Sequence, residues 1–226
     1  MNRRSGWPAV NVPHMASVVL VHGLWLPGPE LFFLRRKLQA AGFRTYRFSY
    51  RSVADDLDEN AARLAAFIAD LPSGRLHVVG HSLGGIVILR LLERQPLTGG
   101  GRVVCLASPL TGTVAGQALA GYPGGSALLG RSMASFFADG PVTRWSGAQE
   151  IGLIAGDSPL GLGQFISSLP APHDGTVAVE ETRLEGATDH IVLPVSHLSM
   201  LCSGVVADQV VSFLNNGRFR LAGESP

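Results

Sequence analysis

Short apolar runs alternate along the chain with longer segments in which apolar residues recur three and four positions apart. The run 16–21 is apolar at nearly every position and rich in valine, which is typical of a strand buried on both faces of a parallel sheet. Further apolar or alternating runs predict five more strands, at 44–50, 76–80, 102–107, 150–155 and 188–193.

Segments with helical spacing lie between or after these strands. Residues 82–94 are apolar on nearly every side, so this helix is expected to be central and buried. A proline opens the first segment, acidic residues occupy the first turn of the second, and Asn216-Gly217 closes the last. The predicted helices cover residues 29–41, 55–71, 82–94 and 205–214.

Strands and helices therefore alternate along the whole chain. Parallel neighbouring strands need right-handed crossovers, and the crossover helices cover both faces of the sheet. The pattern predicts an α/β fold with a mostly parallel central sheet, in a single domain over residues 16–217. Residues 1–15 are interpreted as an N-terminal tail or an alternative start near Met15, and residues 218–226 as a C-terminal tail.

Composition narrows the range of partners. Lys and Arg number 18 against 17 Asp and Glu, a net charge of +1, so no nucleic-acid partner is expected. Charged residues make up only 15% of the chain and hydrophobic residues 46%, which excludes a disordered protein and favours a small, greasy substrate or an apolar interface. The sequence does not indicate the number of subunits.

The cysteines and the N-terminus bear on cofactors and location. Cys105 and Cys202 lie in apolar surroundings without metal-binding spacing, so neither a zinc site nor a disulfide framework is expected. The N-terminus lacks the apolar core of a signal peptide, and no run approaches the roughly 18 apolar residues of a transmembrane helix. The expected location is the cytoplasm.

The strongest chemical signal is Gly80-His81-Ser82-Leu83-Gly84, a G-x-S-x-G motif between a predicted strand and a predicted helix. A sharp strand-to-helix turn presents the Ser82 hydroxyl clear of the sheet, and the flanking glycines leave room for that turn. The start of the following helix offers the unpaired N–H of Leu83 and a positive dipole end, which stabilise an oxyanion. These features indicate a serine nucleophile.

In this motif and its context the chain resembles the α/β-hydrolase superfamily, and within it the small lipase-like and esterase-like bacterial hydrolases with a minimal cap. The resemblance covers residues from about 16 to 215 and implies the α/β-hydrolase fold. It also implies an oxyanion loop at His22-Gly23-Leu24-Trp25, in which the N–H of Leu24 acts together with that of Leu83.

The resemblance implies the two partners of the serine. Asp174 matches the carboxylate that orients the base, and His197 matches the base itself. The chain order Ser82, Asp174, His197 is the order of this superfamily. Asp157 stays an alternative acid because it also follows a predicted strand.

Two other histidines compete with His197 for the role of base. His81 lies inside the G-x-S-x-G motif, and His190 lies inside the last predicted strand. Both positions are also those of packed or solvated histidines, so His197 is favoured.

The substrate pocket is expected beside the oxyanion loop and under the stretch 109–147, which stands where larger relatives have a cap. Two interpretations stay open for the helical part of this stretch: it walls the pocket or forms a short lid, or it is a surface helix that packs its apolar face on the sheet. The apolar residues near the oxyanion loop and the fourth strand either contact the substrate or belong to the core. The candidates are Trp25, Leu26, Leu110, Met133 and Phe136.

The function predicted on these grounds is hydrolysis of an uncharged or acyl-chain carboxylic ester through an acyl-enzyme. The chemistry of serine, base and acid needs no metal and no cofactor. A thioesterase, amidase, lactonase or acyltransferase would use the same three residues, because pocket shape decides the leaving group. A non-catalytic ligand-binding protein with this fold is the remote alternative.

Overall fold

The structure is a computed structural model that describes residues 15–160 and 168–220. The strands in these ranges are β1 (Ser17–Val21), β2 (Arg44–Phe48), β3 (Leu76–His81), β4 (Val103–Leu106), β5 (Ile151–Gly156) and β6 (Asp189–Leu193). The helices are α1 (Phe32–Ala40), α2 (Leu57–Ala69), α3 (Leu83–Arg94), α4 (Val114–Ala120), α5 (Gly125–Asp139) and α6 (Gly204–Asn216).

The strands form one parallel sheet in the order β2-β1-β3-β4-β5-β6. Every strand and helix expected from the pattern of apolar residues has its counterpart here, with boundaries shifted by a few residues at most. The predicted fold class, an α/β-hydrolase fold with a mostly parallel sheet, is confirmed. Strand order reverses at β1, which lies between β2 and β3, so crossovers pass over both faces.

Strand β1 shows why its residues do not alternate between apolar and polar. Val19 and Val21 pack in the core with α2 and α3, whereas Val18 and Leu20 pack in the core with α1 and α6. All four side chains are 0% exposed. Burying each contributes about 1.5–3 kcal/mol, so a polar residue on either face would cost stability.

Helix α2 begins at Leu57, two residues after the predicted start at 55. Asp56 is its N-cap: Oδ1 of Asp56 accepts the N–H of Glu59 at 2.9 Å, and Oε2 of Glu59 accepts the N–H of Asp56 at 2.9 Å. This reciprocal pair satisfies two backbone donors that the helix start leaves unpaired. Asp55 is instead buried and forms ion pairs with Arg51 and Arg63.

The stretch 109–147 contains α4 and α5, which pack against each other. Helix α5 is kinked at Gly130, where φ is 75° and ψ is −171°. Its residues Leu129, Met133 and Phe136 are buried in the core that α2 and α3 share. Helix α5 therefore packs against both α4 and α2, and part of its apolar surface is core.

The chain continues to pack beyond the predicted domain end at 217. Phe219 is 4% exposed and its ring centroid lies 5.0 Å from that of Phe213. The predicted N-terminal tail, apart from Met15, and residues 221–226 of the predicted C-terminal tail lie outside the described residues. Within the described ranges, no helix combines the length and apolar character that crossing a membrane requires.

Candidate active site

The candidate residues come together because all the strands point the same way. Leu24 follows β1, Ser82 follows β3, and His197 follows β6. Asp174 belongs to the connection between β5 and β6. In open parallel sheets, connections at the carboxyl ends of the strands form the ligand site, and these four residues all lie in such connections.

Ser82 lies at a strained turn between β3 and α3. Its φ is 53° and its ψ is −122°, a conformation that non-glycine residues rarely adopt. A Cβ at Gly84 would lie 2.5 Å from the carbonyl oxygen of Val21, and one at Gly80 would lie 2.7 Å from the carbonyl carbon of Gly84. Only glycine at these two positions lets the strand and helix approach closely enough to form the turn.

His197 and Asp174 form a buried pair. Nδ1–H of His197 donates to Oδ2 of Asp174 at 2.7 Å, and the backbone N–H of His197 donates to the carbonyl oxygen of Asp174 at 2.9 Å. Oδ1 of Asp174 accepts the N–H groups of Thr176 at 2.9 Å and Val177 at 2.7 Å. Both carboxylate oxygens are therefore satisfied, although the residue is only 1% exposed.

The structure separates the alternative acid and one alternative base from the site. Asp157 is exposed, at the end of β5, and its N–H donates to the carbonyl oxygen of Leu193 at 3.1 Å. His190 bonds through Nε2 to the hydroxyl of Thr182 at 3.0 Å. Neither residue lines the cavity beside Ser82.

The other alternative base, His81, lies within the G-x-S-x-G motif and holds His197 against the Ser82 turn. Its Nε2 bonds to the carbonyl oxygen of His197 at 3.0 Å, and the two ring centroids are 4.7 Å apart. Burial, with a smaller contribution from the nearby His197, lowers the pKa of His81 to about 3. His81 is therefore neutral at neutral pH and donates to the segment 196–200 that carries the candidate base His197, called the base loop below.

The predicted oxyanion loop, residues 22–25, lies directly on the Ser82 turn. A Cβ at Gly23 would lie 3.2 Å from Cβ of Ser82, so the loop backbone packs tightly against the turn. Leu83 is the first residue of α3, and its N–H has no intrahelical acceptor. Among the described residues, the Leu24 N–H makes no backbone hydrogen bond.

His22 and Tyr50 support this loop, a role that the sequence did not reveal for Tyr50. The rings stack at a centroid distance of 4.3 Å, and the Tyr50 hydroxyl donates to the carbonyl oxygen of His22 at 2.9 Å. The N–H of Tyr50 donates to Nε2 of His22, so Nδ1–H donates to the carbonyl oxygen of Gly23. Burial lowers the pKa of His22, which favours this neutral form.

An apolar cavity of about 560 Å³ opens beside Ser82 and His197. Its lining contains no aspartate, glutamate, lysine or arginine from the described residues. Besides those two residues, the lining of the cavity includes Leu24, Trp25, Leu26, Leu83, Ile86, Thr113, Ala115, Gly116, Leu119, Leu129, Met133, Leu160, Val177 and Leu198.

The cavity corrects the predicted pocket at two positions. Trp25, Leu26 and Met133 line it, whereas Leu110 and Phe136 do not. Leu110 is 1% exposed and Phe136 is 4% exposed, and both pack in the core shared by α2 and α3. An apolar residue near the end of a strand looks the same in sequence whether it faces a cavity or the core.

Glu181 connects the cavity wall to the segment 170–178, which carries the candidate acid Asp174 and is called the acid loop below; the sequence did not reveal this connection. Oε1 of this buried residue accepts the N–H of Val114, the first residue of α4, at 2.6 Å, and Oε2 accepts the N–H of Ala178 at 2.8 Å. Burial raises the pKa of Glu181, while the two N–H donors oppose that effect. In the sequence Glu181 lies between Glu180 and Thr182-Arg183, so it looks like an ordinary solvated charge and carries no signal of this role.

Comparison with known proteins defines the class. The model of the alpha/beta hydrolase family matches residues 18–209, so the chain belongs to that family. No curated protein sequence matches the chain significantly.

Solved structures of similar fold include lipases and an esterase. Bacillus licheniformis lipase BlEst2 in its mature form is 18% identical, with a TM-score of 0.69 over 91% of this chain and 93% of that one. The metagenomic carboxyl esterase MGS0156 is 18% identical, with a TM-score of 0.66 over 88% of this chain and 71% of that one. A Paleococcus ferrophilus monoacylglycerol lipase is 18% identical, with a TM-score of 0.53 over 79% and 84%. Similarity at these identities establishes the fold.

Proposed function

We propose that the protein is a serine hydrolase that cleaves an uncharged carboxylic ester through an acyl-enzyme intermediate. The observation that carries the proposal is that the strained Ser82 turn, the His197–Asp174 pair and the oxyanion loop border one apolar cavity. Membership of the alpha/beta hydrolase family agrees with this reaction class.

Ser82 is the nucleophile in this mechanism. Its Oγ attacks the ester carbonyl carbon while its proton passes to Nε2 of His197 and the carbonyl π electrons move to oxygen. The tetrahedral intermediate collapses, the bond to the alcohol oxygen breaks, and the leaving oxygen takes the proton from His197. Water then adds to the acyl-enzyme by the same route and releases the acid, and Ser82 regains its proton.

Asp174 orients the base. Its hydrogen bond to Nδ1 fixes the tautomer of His197 whose Nε2 lone pair accepts a proton, and its charge stabilises the imidazolium that forms. The N–H groups of Leu24 and Leu83 stabilise the oxyanion, each contributing about 3 kcal/mol to the transition state.

The cavity supports an uncharged acyl group as the substrate class. Its volume of about 560 Å³ lies within the usual range for small-molecule sites. An ionised group placed there would lose hydration without a charged partner among the described lining residues, whereas an alkyl chain would gain stability.

Covalent labelling tests the nucleophile. A fluorophosphonate is expected to modify the protein once, at Ser82, and Ser82→Ala is expected to abolish labelling and lower ester turnover by orders of magnitude without loss of folding. The matched control is Ser135→Ala, which removes a hydroxyl that bonds to Asp139 and does not line the cavity. Stoichiometric labelling at another residue, or near-normal turnover by Ser82→Ala, would refute the proposal.

A rate panel tests the bond that is cleaved. We expect p-nitrophenyl esters of increasing acyl length to be hydrolysed in preference to the matching amides and acyl-thioesters. A higher kcat/KM for the thioesters would reassign the protein as a thioesterase with the same three residues, and no turnover or labelling would favour a ligand-binding role.

A further inference from the structure

Trp25 adopts a backbone conformation that its side chain disfavours. Its φ is 60°, in the left-handed region that bulky residues rarely occupy. The N–H of Leu26 approaches the carbonyl oxygen of Gly23 at 3.4 Å, so residues 23–26 form a β-turn with Trp25 in third place. A positive φ at the third residue, as in type II turns, normally selects glycine or asparagine.

Two hydrogen bonds hold Trp25 in this conformation, one from its backbone and one from its side chain. Its backbone N–H donates to Oγ of Ser52 at 3.3 Å, and its indole Nε1–H donates to the carbonyl oxygen of Leu128 in α5 at 2.8 Å. Ser52 is buried in the connection that follows β2, whereas Trp25 is 49% exposed and lines the cavity. The indole is therefore directed by a specific bond and not by enclosure in the core.

The two acceptors, Ser52 Oγ and the carbonyl oxygen of Leu128, lie in segments that contact each other. The N–H of Arg131 donates to the carbonyl oxygen of Val53 at 2.8 Å, and the backbone of Gly130 presses against Val53 so closely that a Cβ at 130 would overlap it. The residue that follows Ser52 is thus fixed to the same helix that accepts the indole N–H. The connection that contains Ser52 and Val53, together with helix α5, therefore forms a single frame that supports the turn at 23–26.

We propose that Trp25 is a positioning residue for the oxyanion donor, and that this frame sets the direction of the Leu24 N–H. The β-turn uses the N–H of its fourth residue and the carbonyl oxygen of its first, which leaves the N–H of Leu24 available. If Trp25 relaxed to a negative φ, the turn would change and with it the direction of the Leu24 N–H. This inference rests on the proposed function, since only a reacting carbonyl needs that donor.

Trp25 could either position the Leu24 N–H or simply contact the substrate as part of the cavity wall, and the two roles predict different effects on kcat and KM. An indole that merely contacts substrate would change KM when it is altered, because ground state and transition state would lose the same contact. An indole that positions the Leu24 N–H affects the developing oxyanion, so its loss lowers kcat and leaves KM nearly unchanged. The same loss weakens binding of a tetrahedral analogue.

The variant Trp25→Phe tests the inference, because it keeps an aromatic ring and removes the indole donor. We expect kcat on a p-nitrophenyl ester to fall roughly 10-fold to 100-fold with KM changed less than about twofold. The Ki of an alkyl trifluoromethyl ketone, whose hemiketal oxyanion occupies the same place, is expected to rise by the same factor as kcat falls. Ser52→Ala, which removes the other acceptor, is expected to act in the same direction.

The matched control is Trp145→Phe, which also removes an indole donor to a backbone carbonyl, here that of Gln149 at 3.0 Å, away from the cavity lining. Thermal unfolding of each variant separates lost stability from lost positioning. A Trp25→Phe enzyme with raised KM and unchanged kcat, or with an unchanged Ki for the ketone, overturns the inference. An unmodified protein that neither hydrolyses esters nor binds the ketone overturns the proposed function instead.

Discussion

Asp174 is ionisable and almost fully buried, yet both of its oxygens have partners. One oxygen accepts two backbone N–H groups of its own loop, and the other accepts Nδ1–H of His197. The N–H donors come from residues two and three positions later, so these contacts to the carboxylate are local in the chain. The acid is therefore oriented by its local sequence and paired by the tertiary fold.

Asp174→Asn separates this acid from its alternative. The amide oxygen of asparagine still accepts the loop N–H groups, but its NH₂ group faces Nδ1 and favours the wrong tautomer of His197. We expect kcat for ester hydrolysis to fall on the order of 10³-fold to 10⁴-fold, with folding retained in circular dichroism.

The matched control for this prediction is Asp157→Asn. Asp157 is exposed at the end of β5, so its change is expected to leave kcat within about twofold. A larger effect at Asp157 than at Asp174 would move the role of the acid to Asp157.

At the scale of elements, the cavity depends on how α4 and α5 are fixed to the rest of the chain. Glu181 caps the start of α4 from the acid loop, and the kink at Gly130 brings α5 onto Val53. Both helices are therefore positioned by contacts with connections and not by helix propensity alone.

The substitution Gly130→Ala tests, through the stability of the protein, whether the kink and its contact with Val53 fix the position of α5. Gly130→Ala places a side chain at a φ of 75° and against the Val53 backbone, so both strain and overlap oppose folding. We expect the free energy of unfolding in urea to fall by more than the roughly 1–3 kcal/mol that strain alone costs. The control is Gly140→Ala, which has a similar φ of 81° but nothing within 4 Å of the new carbon. Equal losses for the two variants would show that the Val53 contact has no part in the kink.

At the scale of the whole molecule, several histidines are buried in neutral form. Burial, aided by nearby arginines, lowers the pKa of His77 to about 4, and its Nδ1 accepts the N–H of Arg102 at 2.9 Å. His81 has a pKa of about 3 for similar reasons, with burial as the main cause. The unfolded chain, with ordinary histidines near 6.5, therefore binds more protons than the folded protein below that pH.

Stability should accordingly fall as the pH is lowered from about 6.5 toward 4. Each of these histidines contributes a slope of up to roughly 1.4 kcal/mol per pH unit in this window, because protonation favours the unfolded state. Urea unfolding of the protein and of His77→Gln between pH 7.5 and 4.5 measures this. The variant is expected to have a shallower pH dependence, and parallel curves would contradict the pKa assigned to His77.

Much of the fold was predictable because it depends on periodicity. The apolar run of β1 has to be covered on both faces, and the all-round apolar surface of α3 requires a central place, so the parallel layered sheet follows. The motif at 80–84 was equally informative, because glycine spacing at a strand-to-helix turn is a local property. The positions of Asp174 and His197 came from resemblance, and their roles remain predictions.

Contacts between distant segments were not predictable in the same way. Nothing in the sequence around Tyr50 relates it to His22, and nothing around Ser52 relates it to Trp25. The same holds for Leu110 and Phe136, which face the core although their neighbours face the cavity. Pairings of this kind depend on where crossovers bring loops together.

The sequence by itself determined the six strands, the helices α1, α2, α3 and α6, the layered parallel sheet and the strained turn at Ser82, because short-range periodicity and glycine spacing encode them. Only the tertiary structure decided that Asp174 and not Asp157 meets His197, that His81 bonds to the base loop, and which apolar residues enclose the cavity. The physical reason is that each of these depends on the distance between residues far apart in the chain, which packing sets and local pattern does not.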